Sequence, residues 1–212
     1  MTIFKKFIII LMMNLPNKLT LLRITLTPFF VVFLAYDNVY TRYLSLFVFV
    51  IAAITDIYDG KIARRCGLET TFGKFADPLA DKILVSSAFI YFVTMPDLHI
   101  PAWMVILIIT REFVVTGLRV IAMSKGVVIA ASLKGKIKTT FQITTIIIIL
   151  LILLARAYLR DILGISEIPL PFTFVLEYTP LILMSITTFF TVITGIWFTI
   201  GHKKLLTDTI EI

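Results

Sequence analysis

The chain has 212 residues, of which 59% are hydrophobic and only 16% are charged, and its mean hydropathy is +1.01. This composition excludes an ordinary soluble globular domain and predicts an integral membrane protein with one domain, residues 1–212. The net charge of +7 fits anionic lipid or phosphorylated substrates. Nucleic acid is not an expected partner, because the basic residues are interleaved with long apolar runs instead of forming one soluble basic face.

The N-terminal segment, residues 1–18, places Lys5 and Lys6 ahead of a short apolar run. A secretory signal peptide begins in the same way, but no small-residue cleavage site follows this run. We therefore expect a short helix that lies in the membrane interface.

Six longer apolar segments follow, and polar residues or helix breakers separate them, as at Asp37–Asn38 and Pro96–Asp97. Each segment predicts a membrane helix, so the expected fold is an all-α membrane protein with six transmembrane helices. The predicted helices cover residues 19–36, 43–64, 73–95, 101–124, 138–155 and 180–200.

Four aspartates follow a fixed pattern across the second and third predicted helices. The pattern reads D-x2-D-G-x2-A-R-x8-G-x3-D-x3-D and runs from Asp56 to Asp81. Asp56 and Asp59 are three positions apart and Asp77 and Asp81 are four apart, so each pair shares one face of a helix. Either pair alone also fits a solvated helix end with ordinary surface charge. Together the four carboxylates form an oxygen-rich set that suits hard divalent cations.

The apolar runs next to this pattern are short, so either these two helices do not span the membrane or they span it with their polar ends at membrane depth. Residues 43–54 and 83–95 reach only roughly 18–20 Å as helices, which is less than the roughly 30 Å of the hydrocarbon core. Charge inside a membrane is costly unless it faces a polar cavity or a partner. The sequence therefore predicts a polar active-site chamber within the membrane, lined by Arg64 and the four aspartates.

The basic residues predict the orientation of the chain. In the six-helix arrangement, all but three of the 20 lysines and arginines fall on the same side of the membrane, and the three are Arg42, Arg156 and Arg160. Cytoplasmic segments carry an excess of lysine and arginine. We therefore expect both termini and the opening of the chamber on the cytoplasmic side.

The aspartate pattern resembles the signature of the CDP-alcohol phosphatidyltransferases, integral membrane enzymes of phospholipid synthesis, and every signature position matches. The resemblance implies that an alcohol attacks the β-phosphorus of a CDP-linked lipid and that CMP leaves. It also implies two divalent ions, Mg²⁺ or Mn²⁺, bound by Asp56, Asp59, Asp77 and Asp81, with Asp81 also taking the hydroxyl proton. The residues expected to bind the CDP-lipid are Gly60, Arg64, Gly73, Asn17, Thr20 and Thr70.

A second group of basic residues bears on the acceptor of the lipid. Arg111 and Arg119 interrupt an apolar helix and lie about 80° apart around it, on one broad face. With the lysines that begin the next helix they would form a phosphate clamp. The expected acceptor-phosphate residues are Arg111, Arg119, Lys134, Lys136 and Lys138. Alternatives stay open: Glu112 adjoins Arg111 and would form an internal ion pair, the arginines would extend their charged ends toward the interface, and Lys136 would contact anionic lipid.

The segments TREFVVTGLR and Leu133 to Thr140 are similar to one branch of the family. That similarity implies transfer of the phosphatidyl group of CDP-diacylglycerol to sn-glycerol 3-phosphate, in phosphatidylglycerol and cardiolipin biosynthesis at the bacterial cytoplasmic membrane.

Dimerisation is common in the family, and a homodimer is a candidate assembly. Members of the family often begin near a segment like Pro16 to Arg23, so Met13 is an alternative start.

Several other functions stay open from the sequence. Within the family they are a cardiolipin, phosphatidylinositol-phosphate or phosphatidylserine synthase. Outside it they are an aspartate-rich membrane prenyltransferase and a carboxylate-dependent membrane transporter. The prenyltransferase would show clustered DDxxD-like motifs and the transporter two related halves, and the sequence has neither feature.

Overall fold

The computed structural model describes the backbone of residues 15–66, 71–124, 133–165 and 170–201, and the side chains of residues 18–55, 80, 82–122, 135–165 and 172–201. In this part of the chain all regular structure is helical. The helices are α1 Leu15–Ala35, α2 Val39–Cys66, α3 Thr71–Val93, α4 Ala102–Ser124, α5 Leu133–Asp161 and α6 Leu170–Gly201, with a 3₁₀ turn at Pro96–Leu98 between α3 and α4.

Each predicted membrane helix corresponds to one of these helices, but all except α4 begin earlier than expected, and α6 differs most. α5 extends beyond both ends of the predicted range 138–155, and α6 begins at Leu170. The prediction that Pro180 starts the last helix was wrong, because Pro180 lies inside α6. A proline costs a helix one backbone hydrogen bond, and membrane helices tolerate this where neighbouring groups compensate.

The lengths and composition of the helices agree with a membrane protein. Three described segments are long and apolar enough to cross a bilayer, namely Lys18–Ala35, Gly135–Asp161 and Phe172–Gly201. α2 and α3 contain shorter apolar segments, Val39–Thr55 and Lys82–Val93. The expected fold class, an all-α membrane protein, is confirmed, whereas the number of spans and their orientation remain predictions. Of the expected interfacial segment, residues 15–18 belong to α1 and residues 1–14 lie outside the described part.

One compact unit consists of Met1–Ala88 and Leu150–Ser166. In this unit α1 packs along α2, and the fully buried rings of Phe30 and Phe49 lie 5.4 Å apart between their centroids. Arg23 is also fully buried, and its Nε donates a hydrogen bond of 3.2 Å to the carbonyl oxygen of Ala52. Such a bond between the two helices compensates part of the cost of burying a guanidinium.

A charged cluster ties the connection between α1 and α2 to the end of α5 within the same unit. Arg160 donates to the carboxylates of Asp37 and Asp161. Asp161 accepts a bond of 2.8 Å from the backbone N–H of Val39, at the start of α2. Arg42 is buried, and it donates to the carbonyl oxygen of Leu34 at 2.7 Å and to Asp37 at 3.1 Å. These contacts hold together the end of α1, the start of α2 and the end of α5.

The other compact unit consists of Phe89–Ile149 and Glu167–Ile212. Here α4 packs against α6, and the 3₁₀ turn also contacts α6. The buried hydroxyls of Thr145 on α5 and Thr187 on α6 lie 2.7 Å apart and share a hydrogen bond. Hydroxyl pairs of this kind hold membrane helices together where apolar contacts alone give little specificity.

Candidate active site

The signature occupies the last part of one helix and the first part of the next. Asp56 and Asp59 lie in the last three turns of α2, and Asp77 and Asp81 lie in the first three turns of α3. The helices are joined by residues 67–70, and a connection of that length spans at most roughly 18 Å. The end of α2 and the start of α3 are therefore at most roughly 18 Å apart, and the meeting of the two aspartate pairs remains a prediction.

The chemistry of this donor set fits a divalent cation. Four carboxylates provide the hard oxygen ligands that Mg²⁺ and Mn²⁺ prefer. The side chains of all four aspartates lie outside the described part, so their role as metal ligands remains a prediction. Among the side chains that are described, no group of three or more His, Cys, Asp or Glu residues could hold a metal ion.

The remaining residues expected to bind the CDP-lipid fall near the same helix ends or on α1. Gly60 and Arg64 are on α2 and Gly73 is on α3, whereas Thr70 lies outside the described residues. Asn17 is in the first turn of α1, and its side chain is not described. Thr20 is described and is fully buried on α1. Their roles remain predictions.

Arg23 was not among the residues expected to bind a substrate. Its side chain is fully buried one turn after Thr20, and its bond to Ala52 reaches α2 about one turn before Asp56. The signal was present in the sequence, since a single arginine within an apolar membrane segment is costly and usually functional. Arg23 therefore joins the residues near the signature.

The second predicted group is centred on Glu112. Arg111 Nη1 donates to Glu112 Oε1 at 3.3 Å, and the buried Lys138 Nζ donates to the same oxygen. Gln142 Nε2 approaches this oxygen at 3.5 Å. Arg111 Nη2 also lies 3.3 Å from the hydroxyl of Thr194 on α6. The internal ion pair left open as an alternative is thus present, and it includes Lys138.

Arg119 and Lys136 have different surroundings. The guanidinium carbon of Arg119 lies 5.4 Å from the centroid of the Phe198 ring on α6, a cation–π arrangement. Among the described residues, the buried Nε atoms of Arg111 and Arg119 have no hydrogen-bond partner. Lys136 is exposed, which agrees with the alternative of contact with anionic lipid, and the side chain of Lys134 is not described.

Basic side chains gather around Glu112. Two cations, Arg111 and Lys138, share one carboxylate, and Arg119 follows Arg111 two turns later on the same helix. Burial makes each charge costly, and the shared carboxylate offsets part of that cost. Glu112 and Gln142 were not among the predicted site residues, although the position of Glu112 beside Arg111 in an apolar helix pointed to a contact.

Comparison with known proteins agrees with these observations. The model of the family described as CDP-alcohol phosphatidyltransferase matches residues 13–197. The CDP-diacylglycerol–glycerol-3-phosphate 3-phosphatidyltransferase of Bacillus subtilis strain 168 is 47% identical over 152 residues, which are 66% of this chain and 78% of that protein.

Two other bacterial relatives with enzyme names of the same kind are also similar to this chain. A probable phosphatidylglycerophosphate synthase of Mycobacterium tuberculosis H37Rv is 44% identical over 63% of this chain and 64% of its own length. A CDP-diacylglycerol–glycerol-3-phosphate 3-phosphatidyltransferase of Rickettsia typhi is 40% identical over 66% of this chain and 78% of its own. Family proteins generally use divalent metal ions, in agreement with the aspartate pattern. With the signature on α2 and α3 and the family match over most of its length, the chain belongs to the CDP-alcohol phosphatidyltransferase family.

Proposed function

We propose that this protein transfers the phosphatidyl group of CDP-diacylglycerol to sn-glycerol 3-phosphate, giving phosphatidylglycerophosphate and CMP. Relatives whose names give this activity share 40% and 47% of their residues with the chain over about two thirds of its length. The observation that carries the choice of acceptor is the meeting of Arg111 and Lys138 at one buried carboxylate, Glu112. A guanidinium and an ammonium group gathered at one place suit the phosphate of a phosphorylated alcohol.

In the proposed reaction the 1-hydroxyl oxygen of glycerol 3-phosphate forms a bond to the β-phosphorus of CDP-diacylglycerol. The bond between that phosphorus and the bridging oxygen breaks, and CMP leaves with this oxygen. Asp81 accepts the proton of the hydroxyl, for which its reach to the nucleophile matters more than its pKa. Asp56, Asp59, Asp77 and Asp81 would hold two divalent ions, Mg²⁺ or Mn²⁺, which neutralise charge on the pyrophosphate when bound.

The chain's own residues would orient both substrates. Gly60 and Gly73 have no side chain to obstruct the approach of the nucleotide to α2 and α3. Arg64, Asn17, Thr20 and Thr70 would complete the CDP-lipid site. The acceptor phosphate would be bound by Arg111 and Arg119, with Lys134, Lys136 and Lys138 adding positive charge.

We further propose a multi-pass arrangement in a bacterial cytoplasmic membrane, with six spans and with both termini and the active site on the cytoplasmic side. The distribution of lysine and arginine supports the orientation, and the bacterial origin of the relatives supports the compartment. A homodimer is part of the proposal because dimers are common in the family.

The activity can be tested with the full-length protein purified in detergent. Given CDP-diacylglycerol, Mg²⁺ and labelled glycerol 3-phosphate, it should release CMP and form a labelled lipid. Omission of the metal, with a chelator present, should stop both products. Release of CMP with serine or inositol, but not with glycerol 3-phosphate, would reject the acceptor and leave only the family chemistry.

A further inference from the structure

The side chain of Arg111 on α4 passes directly across Gly195 on α6. A Cβ atom placed on Gly195 would lie 2.6 Å from Arg111 Cγ, 3.3 Å from its Nε and 3.5 Å from its Cδ. Cγ is only two bonds from the backbone of Arg111, so the contact cannot be relieved by moving the far end of the side chain. A methyl group at position 195 would force Arg111 into another rotamer and displace its guanidinium.

The residue before Gly195 holds the same guanidinium. The hydroxyl of Thr194 lies 2.8 Å from the carbonyl oxygen of Phe190 and 3.0 Å from that of Thr191, so its single proton is directed into its own helix. Its oxygen therefore has a lone pair for Arg111 Nη2, which is 3.3 Å away. Glu112 accepts from the other terminal nitrogen of Arg111. Glu112 on α4 and Thr194 on α6 thus hold the guanidinium from two sides.

We propose that Thr194 and Gly195 are positioning residues for the acceptor, acting through Arg111: Gly195 leaves the space in which the side chain lies and Thr194 orients its guanidinium. The inference rests on the proposed role of Arg111 in binding the phosphate of the acceptor. It extends the acceptor site to α6, which has none of the signature residues and none of the basic residues expected to bind phosphate.

The first test compares Gly195→Ala and Thr194→Val with the unaltered protein. Both variants should raise the KM for glycerol 3-phosphate about tenfold, while the KM for CDP-diacylglycerol stays within about twofold. Thr194→Ser keeps the hydroxyl and should restore the KM. Gly201→Ala, on the same helix with no atom within 4 Å of its added Cβ, is the matched control. An equal rise in both KM values, or no rise, would overturn the proposal.

The second test asks whether the two residues act through Arg111. In an Arg111→Ala background, Gly195→Ala and Thr194→Val should have no further effect on the KM for glycerol 3-phosphate, because the side chain that they position is gone. Effects that persist there would mean that α6 acts by another route, and the proposal would be wrong.

The same experiment separates this inference from the proposed function. If Arg111→Ala by itself leaves the KM for glycerol 3-phosphate unchanged, the assigned role of Arg111 fails, and the positioning role fails with it. If Arg111→Ala raises that KM but neither α6 variant does, only the positioning role fails. Should Gly195→Ala not fold, as judged by thermal unfolding in detergent, the comparison of Thr194→Val with Thr194→Ser decides the question.

Discussion

Lys138 on α5 and Glu112 on α4 form a buried ion pair, in which the lysine Nζ donates to the same carboxylate oxygen that Arg111 contacts. The side chain of Lys138 is only 4% exposed and that of Glu112 only 11%. Glu112 is therefore the counter-charge for two cations that the sequence analysis expected to bind phosphate. The contact between α4 and α5 and the proposed acceptor site therefore share one carboxylate.

Loss of that carboxylate should destabilise the protein. Glu112→Gln keeps the size of the side chain but leaves Lys138 and Arg111 without their shared counter-charge, and breaking a buried pair in this way costs about 3 kcal/mol. Thermal unfolding in detergent measures the effect, and Lys136→Met, at an exposed lysine on α5, is the control. An unfolding temperature for Glu112→Gln equal to that of the control would contradict the prediction.

Removal of the proposed base should stop the reaction without preventing binding. Asp81→Asn retains the size and polarity of the side chain but cannot accept the hydroxyl proton, so turnover should fall by at least about 100-fold. CMP release measures turnover, and direct binding of CDP-diacylglycerol should persist. Asp97→Asn, at an exposed aspartate in the 3₁₀ turn, provides the control. Near-normal turnover in Asp81→Asn would exclude Asp81 as the base.

Loss of the Arg119 side chain should raise the KM for one substrate more than the KM for the other. In Arg119→Ala the KM for glycerol 3-phosphate should rise by about 10-fold or more, since a hydrogen bond to a charged group contributes about 1.5–3 kcal/mol. The KM for CDP-diacylglycerol should change little. Phe198→Leu removes the ring beneath the guanidinium but keeps the charge, and its effect should be smaller. Steady-state kinetics with each substrate varied in turn will show whether both KM values rise equally, which would argue against an acceptor role.

The cluster at the end of α5 predicts a dependence of stability on pH. The guanidinium of Arg160 donates to Asp37 and, together with Arg42, lowers the pKa of that carboxyl below its ordinary value. A lowered pKa in the folded state stabilises the protein above the ordinary pKa, and this contribution is lost as pH falls through the folded value. Asp37 is 59% exposed, so the contribution should be at most about 1 kcal/mol.

The corresponding measurement is thermal unfolding of the protein and of Asp37→Asn between pH 3 and 7. Above about pH 4 the variant should unfold at a lower temperature, and the difference should shrink at more acidic pH as Asp37 becomes protonated. A difference that stays constant over the whole range would show that the carboxylate charge of Asp37 is not the cause.

The amino-acid sequence was enough to predict the class of the protein, its helices and the place of the signature. These properties depend on local information: the apolar runs set which segments form membrane helices, and the spacing of Asp56, Asp59, Asp77 and Asp81 places each pair on one helix. The same reasoning failed at Pro180, because a proline reads as a helix start in the sequence, whereas α6 continues through it.

The contacts within the basic group could be identified only from the packed helices. Arg111 and Glu112 are neighbours in the sequence, but nothing local reveals that Lys138 shares the same carboxylate oxygen or that Thr194 and Gly195 border the arginine. The rotation of each helix about its axis sets these contacts, and it depends on how α4, α5 and α6 pack against one another. Hydrophobicity cannot fix that rotation where apolar residues cover most of each helix, so the buried polar contacts determine it.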